Sequence, residues 1–287
     1  KRDDSAAVLA AVRRIDSPTE LMRLRSDKRF DVYVQADAWS FNVENATSRL
    51  VDTLQARAEA APRDLELQSQ LSYALLKAGR HQDVIALANR ALDAIAAAPS
   101  DDPAFDDIGD QVWLMNNRAI ALRRLGRTDE ALAELVRASQ LSEDGSINVS
   151  QALNLGAFHC SLGRPDDALQ AISRAGGNVT GYGLMVSNGV RHCASLQKKD
   201  RKGAKRALAY LREHRSDNPV AYLEALLREG RMDEAASFVV DQLASLDRRG
   251  DTLEWAQDVL RPAPLPGDVV VRQARTDLLA RAVTTQE

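Results

Sequence analysis

The stretch "ALRRLGRTDEALAELVRAS", residues 121–139, consists mostly of good helix formers on both sides of a short break at Gly126. The stretch "FHCSLGRPDDALQAISRA", residues 158–175, repeats this pattern 37 residues later, with Gly163 at the break. Glycine tolerates the left-handed conformation that closes a helix, and the aspartates that follow suit the positive end of the next helix. Each stretch therefore predicts two helices joined by a tight turn.

The same break recurs along the chain at similar intervals. Its anchors are Gly79, Gly126, Gly163, Lys199 and Gly230, which are spaced by 47, 37, 36 and 31 residues. Five residues after each anchor stands an apolar side chain, mostly alanine, where the two helices of a hairpin would cross: Val84, Ala131, Ala168, Ala204 and Ala235. The pattern predicts about five helical hairpins over residues 64–246, with an acidic insertion at residues 98–110 after the first.

A helix-turn-helix repeat with a period of about 34 residues resembles the tetratricopeptide repeat family. The resemblance is clearest in "NNRAIALRRLGRTDEALAELVRA" and "NLGAFHCSLGRPDDALQAISRA", residues 116–138 and 154–175, although Arg118 stands where the family usually has leucine. It implies an all-α fold: a right-handed superhelical solenoid of stacked helix-turn-helix repeats with flanking helices.

Helical periodicity extends on both sides of the repeats. The expected flanking helices cover residues 5–15, 17–25, 43–61 and 269–282, and the Pro-rich stretch 261–268 interrupts the chain before the last of them. The sequence thus predicts three parts: N-terminal helices at 1–63, forming an eroded repeat, the repeats at 64–246, and C-terminal capping helices at 247–287.

Composition and charge narrow the class of protein. Hydrophobic residues make up 45% of the 287 residues and charged residues 28%, as in soluble globular proteins. The formal charge of −3 argues against a nucleic-acid partner, and the lack of a run of eighteen apolar residues predicts no membrane span. Because the chain starts at Lys1, both a cleaved signal peptide, with a bacterial periplasmic location, and a trimmed cytoplasmic protein fit this start. The oligomeric state stays open.

The sequence contains no familiar catalytic motif: GxSxG, HExxH, Walker A and GxGxxG are all missing. We therefore expect no enzyme, no cofactor and no metal site. One pattern needs a separate explanation, because His159-Cys160 and His192-Cys193 are the same dipeptide in the first helices of adjacent repeats. Neighbouring side chains on a helix point about 100° apart, which disfavours a shared metal ion. A Cys160–Cys193 disulfide needs close Cα atoms, and we expect ordinary packing instead.

In the family that the chain resembles, the first helices of successive repeats line a concave groove that binds peptides. Counting back from the anchors predicts these groove residues: Tyr73, Lys77, Trp113, Asn116, Asn117, Ile120, Arg123, Arg124, Leu153, Asn154, Ala157 and Cys160. Asparagine amides bind an extended backbone, arginine binds a carboxylate, and aliphatic side chains form pockets. Chaperone-binding members of the family use asparagines at the places of Asn117 and Asn154, but they have a lysine one turn earlier, where this chain has Trp113 and Ser150.

The favoured function is a non-enzymatic scaffold or adaptor that binds a peptide or protein partner in the groove. One alternative is an architectural subunit of an exported or envelope-associated assembly that binds through its outer surfaces. Another is the accessory or substrate-presenting domain of an enzyme, with chemistry at His159, His192 and the cysteines.

Overall fold

A computed structural model of the chain describes residues 2–15, 17–143, 146–176, 179–257 and 261–284. The helices are α1 (Arg2–Val12), α2 (Pro18–Arg25), α3 (Asp31–Ala36), α4 (Val43–Ala60), α5 (Leu65–Lys77), α6 (His81–Ala97), α7 (Gln111–Arg124), α8 (Thr128–Ala138), α9 (Val149–Ser161), α10 (Pro165–Ser173), α11 (Gly181–Gln197), α12 (Arg201–Glu213), α13 (Pro219–Arg228), α14 (Met232–Ala244), α15 (Arg249–Gln257) and α16 (Val269–Thr284). Two strands of two residues each, β1 (Ser142–Glu143) and β2 (Ser146–Ile147), pair antiparallel. The predicted all-helical class is confirmed. None of the helices in the described part of the chain has the length and apolar composition needed to cross a membrane.

The flanking helices form where the periodicity predicts them. The Ser17 side chain caps α2 by accepting the Glu20 N–H, and Pro18 occupies the first turn. Helix α4 stops at Ala60, just before Pro62. Helix α1 covers Arg2–Val12, three residues earlier in the chain than the expected 5–15.

All five anchor residues have the left-handed conformation. Their φ angles are 73° at Gly79, 78° at Gly126, 74° at Gly163, 59° at Lys199 and 68° at Gly230. In every hairpin the N–H after the anchor donates to the carbonyl four residues before it, over 2.8 to 2.9 Å. This bond and the anchor's own N–H bond to the carbonyl three residues earlier form a Schellman motif. Lys199 is the only non-glycine residue with positive φ among the described residues, so the turn persists where the glycine is lost.

The side chains five residues after the anchors are all buried, as the repeat predicts. Val84, Ala131, Ala168 and Ala235 have no exposed surface, and Ala204 retains 3%. In the Gly163 hairpin the approach is close enough that a Cβ on Gly156 would lie 2.5 Å from Ile172 Cγ2 and 3.2 Å from the carbonyl oxygen of Ala168. Small residues at these crossings therefore set how closely the two helices of a hairpin pack.

The chain divides into two compact units. Unit 1 comprises Lys1–Arg127 and Asp241–Arg261; unit 2 comprises Thr128–Val240 and Pro262–Glu287. The three-part division at residues 63/64 and 246/247 describes the repeats rather than these units and stays a prediction.

In unit 1, α5 packs against α4, α6 and α7, and α2 packs against both α4 and α15. Phe105, from the acidic insertion, joins the core beside Leu65, Ala88 and Leu114. The aspartates of the acidic insertion at residues 98–110 are largely exposed, and its buried Phe105 attaches it to the core.

In unit 2, the first helices of successive hairpins lie side by side, because α11 packs against both α9 and α13. The second helices α10 and α12 pack against them, and the core between these layers includes Ala168, Ile172 and Val190. Helix α16 returns to pack on α13.

Replacing Lys199 with glycine should stabilise the protein by roughly 0.5–1 kcal/mol. A left-handed non-glycine residue costs roughly 1–2 kcal/mol, and the greater freedom of glycine in the unfolded chain takes back part of that gain. Urea unfolding of both proteins measures the difference.

The matched control is Lys205→Gly, at an exposed position in the middle of α12. It should destabilise the protein by about 1 kcal/mol, because glycine is a poor helix former. Equal losses of stability in both variants would contradict the role assigned to Lys199.

Candidate functional site

The predicted groove residues of unit 1 lie on α5 and α7, which run side by side in the same direction. The Asn117 amide donates to Ser72 Oγ over 2.6 Å, and further along the two helices Arg124 Nη1 donates to the Leu76 carbonyl over 2.9 Å. These two bonds fix the register of α7 on α5.

Two aromatic side chains stand out from this pair of helices. Tyr73 on α5 is 54% exposed and Trp113 on α7 is 40% exposed. On α7, Asn116, Ile120 and Arg123 continue from Trp113 at spacings of three or four residues, so they lie along one stripe, and all three are half-buried. We name this surface the α5–α7 face: Tyr73, Lys77, Trp113, Asn116, Ile120 and Arg123.

Lys77 is tied into unit 1 at the end of α5. Its ammonium group pairs with the Glu254 carboxylate of α15 and lies 5.8 Å from the centre of the Tyr73 ring. The other Glu254 oxygen accepts the Thr19 hydroxyl over 2.5 Å. The cation therefore links α15 to α5 and lies beside the Tyr73 ring.

Three of the predicted groove residues are buried. Asn117 is 5% exposed, and its amide is used by Ser72 Oγ and, at 3.5 Å, by the Ser69 carbonyl. Leu153 belongs to the core of unit 2, and Cys160 is buried beside it. These side chains hold helices together and are not offered to a partner. Of the other two predicted residues in unit 2, Asn154 is half-buried and Ala157 is exposed.

Cys160 and Cys193 form a disulfide, which corrects the expectation of simple packing. The bond joins α9 to α11, whose Cα atoms at these positions are 6.4 Å apart. The physical reason is the packing of the two helices: Cys160 lies three residues before its anchor and Cys193 six residues before its own, and α9 and α11 are offset so that these two positions meet. The Gln197 amide lies over the bond, donating to the Cys160 carbonyl over 2.8 Å.

The end of α9 in unit 2 is covered by the chain itself. The turn Pro266–Asp268 lies against it: the Ser161 hydroxyl donates to Asp268 Oδ1 over 3.1 Å, and Arg228 Nη1 donates to the Gly267 carbonyl over 2.8 Å. The C-terminal segment was expected to cap the repeats, and the sequence did not indicate that it also occupies this surface. The signal was Gly267, the glycine in the Pro-rich stretch.

A cleft of about 480 Å³ opens on unit 1 between α4, α5 and α6. Leu71, Leu75 and Leu87 form its apolar floor, and Glu59 and Arg90 are among the charged residues at its rim. Leu71 and Leu75 are each two residues from Tyr73, about 200° around the helix, so the cleft lies on the opposite side of α5 from the α5–α7 face. Sequence reasoning missed it, because its floor repeats the ordinary core pattern.

The histidines considered for chemistry lie inside the protein. His192 has no exposed surface, and its Nε2 is 3.0 Å from Glu229 Oε1. Burial lowers the pKa of His192, against an opposite effect of Glu229 and with a further lowering by Arg228. Burial also lowers the pKa of His159. Within the described ranges, no group of three or more His, Cys, Asp or Glu side chains is placed to hold a metal ion.

Comparison with protein-family models and with curated proteins gives no match to this chain. The tetratricopeptide resemblance therefore stays a hypothesis from the sequence pattern. The geometry of the α5–α7 face offers aromatic, amide and cationic groups on one surface, which is a binding chemistry.

Replacing both cysteines with serine should lower the free energy of unfolding by roughly 3–4 kcal/mol. The loss follows from the loop of about 33 residues that the disulfide closes in the unfolded chain. Urea unfolding measures it, and a thiol reductant should lower the stability of the wild type by a similar amount while leaving the variant unchanged. A wild type that does not respond to the reductant would contradict the stabilising role of the bond.

The protein should become less stable as the pH falls from 7.5 to 5.5. Because burial lowers the pKa of His192, His159 and His81 in the folded state, the unfolded chain binds more protons just below its histidine pKa of about 6.5. The free energy of unfolding, measured in urea at several pH values, should therefore decrease as the pH is lowered from 7.5 to 5.5.

Two variants test the contribution of His192 to that slope. His192→Gln should reduce the pH dependence, because it removes one titrating group. Glu229→Gln should increase it, because Glu229 raises the pKa of His192 and so opposes the effect of burial. If the free energy of unfolding of both variants changes with pH as steeply as that of the wild type, His192 does not contribute to the pH dependence.

Proposed function

We propose that this chain is a non-enzymatic binding protein, a scaffold or adaptor, and that the α5–α7 face is its binding site for a peptide or protein partner. The observation that carries the proposal is the exposure of Tyr73 and Trp113 on neighbouring helices. Tyrosine and tryptophan are the residues most enriched at the energetic centres of interfaces. Here they are held on a rigid pair of helices.

The spacing of the two rings suits an extended peptide. The register places Tyr73 near Ile120, so the rings are separated by about 10 Å along the helices and by about 9 Å between the helix axes. The resulting distance of roughly 14 Å corresponds to about four residues of an extended chain. A partner with two apolar side chains at that spacing would place its backbone near the Asn116 amide.

The cations at one end of the face favour a particular kind of ligand. Lys77 and Arg123 lie near the C-terminal ends of α5 and α7, while Trp113 lies near the start of α7. A carboxylate after the second apolar side chain of the peptide would reach this end of the face, where it would compete with Glu254 for Lys77.

We also infer that the five hairpins stack as a right-handed superhelical solenoid of the tetratricopeptide type. The support is the same Schellman turn at every anchor, including Lys199. The disulfide supports the oxidising bacterial periplasm over the cytoplasm. The enzyme alternative gains no specific support, because His192 is enclosed in the protein.

The test uses a random library of 12-residue peptides displayed on phage, selected on the biotinylated full chain. Peptides recovered on the wild type should bind the double variant Tyr73→Ala, Trp113→Ala at least tenfold more weakly. Each of the two aromatic side chains should contribute more than about 1 kcal/mol to the binding free energy. Fluorescence anisotropy of the labelled peptides measures the affinities.

The matched control is Tyr182→Ala, which removes a tyrosine that is 66% exposed on α11 of unit 2. It should bind the peptides as the wild type does. If the double variant retains the wild-type affinity, or if only the control loses it, the α5–α7 face is not the site.

A further inference from the structure

The turn Pro266–Asp268 lies on unit 2 beside groups from three different helices, and two of these groups, Ser161 and Arg228, bond to it. Ser161 comes from the end of α9, Gln197 from the end of α11 and Arg228 from the end of α13. We name this surface, together with the Cys160 carbonyl, the turn-binding surface. The disulfide beneath it fixes α9 relative to α11.

The surface accepts a glycine and rejects larger residues. A Cβ on Gly267 would lie 2.1 Å from the Cys160 carbonyl oxygen, 3.0 Å from the Ser161 carbonyl oxygen and 2.9 Å from Gln197 Nε2. Two of these neighbours are backbone atoms, which cannot rotate away. The fit therefore depends on the missing side chain at this position.

The surface also binds the carbonyl of the glycine and the carboxylate of the residue that follows it. Arg228 Nη1 donates to the Gly267 carbonyl over 2.8 Å, and Nη2 lies 3.5 Å from Asp268 Oδ1. The same carboxylate oxygen accepts the Ser161 hydroxyl over 3.1 Å. One guanidinium thus contacts both a backbone carbonyl and a carboxylate, the forked pattern that arginine provides. The Arg228 side chain is only 15% exposed, so this contact is largely shielded from water.

The segment that follows the turn is held by its own contacts: Arg281 of α16 donates to Asp233 Oδ1 of α14 over 3.3 Å. Helix α16 packs on α13, with Val271, Ala274 and Leu278 buried. Its first two residues point outward, since Val269 is 52% exposed and Val270 is 61% exposed. These contacts lie on the hairpins, and none of the Schellman bonds within the hairpins uses a residue of this segment, so its release leaves the hairpin turns intact.

We propose that the turn-binding surface is a recognition site for a Pro-Gly-Asp turn followed by an amphipathic helix, and that the chain's own residues 261–284 occupy it as an intramolecular ligand. A partner segment of the same chemistry binds there when the chain's own segment leaves. The inference does not rest on the α5–α7 face, which belongs to unit 1.

The test uses the full chain and a fluorescein-labelled peptide with the sequence of residues 261–284. In the variant Gly267→Ala the clash with the Cys160 carbonyl should release the chain's own segment, so that the added wild-type peptide binds. The wild type should bind the peptide at least tenfold more weakly, because its tethered segment competes at a high effective concentration. Fluorescence anisotropy measures both affinities.

Two matched controls show whether the recognition is specific. The variant that combines Gly267→Ala with Arg228→Ala should lose the peptide, because the fork on the glycine carbonyl and the carboxylate is gone. A peptide that itself carries alanine at position 267 should bind the Gly267→Ala chain at least tenfold more weakly than the wild-type peptide. A folded Gly267→Ala chain that binds the peptide no better than the wild type does would overturn the proposal.

Hydrogen exchange on the wild type keeps the proposal testable if Gly267→Ala does not fold. Amides of α16 should then exchange at least tenfold faster than those of α11, and Asp268→Ala should widen the difference. Equal protection of α16 and α11 in both proteins would show that the segment is an integral part of unit 2, which would also overturn the proposal.

Discussion

The fold depends on one backbone constraint, the left-handed residue that ends the first helix of each hairpin. Its conformation directs the next N–H back to the carbonyl four residues before the anchor, and the chain leaves the helix in the same direction every time. The residue five positions later then falls at the helix crossing, where four hairpins have alanine and the first has valine. Lys199 shows that the constraint belongs to the hairpin and not to glycine, because lysine accepts the unfavourable conformation there.

This constraint is local, which is why the sequence predicts the helices and their turns well and the side-chain contacts of the site less well. The anchors, the acidic first turns and the prolines act on neighbouring residues, so the turns and most helix ends follow from short patterns. The role of Asn117 does not, because it is set by Ser72, 45 residues away. An asparagine at that place can line a groove or can form a buried hydrogen bond between two helices. The distance between α5 and α7 determines which of these roles it has.

The disulfide and the turn at Gly267 escaped prediction for the same reason. Spacing between cysteines in a sequence does not fix the distance between their Cα atoms, which here depends on how α9 packs on α11. Gly267 lies in a Pro-rich stretch where glycine usually indicates a turn. That the missing Cβ makes room for the end of α9 depends on contacts more than 100 residues away along the chain.

Both units use the last part of the chain in the same way. In unit 1, Lys77 at the end of α5 pairs with Glu254; in unit 2, Arg228 at the end of α13 meets Asp268. A cation at the C-terminal end of a helix is already favoured by the helix dipole, so each carboxylate docks where positive charge is held in place. The first helices therefore carry two kinds of surface, one that leaves its aromatic side chains exposed and one that the chain covers with its own turn. The covered surface differs in having a glycine, Gly267, against it. Because Gly267 has no Cβ, it approaches the end of α9 closely enough for its carbonyl to accept a hydrogen bond from Arg228.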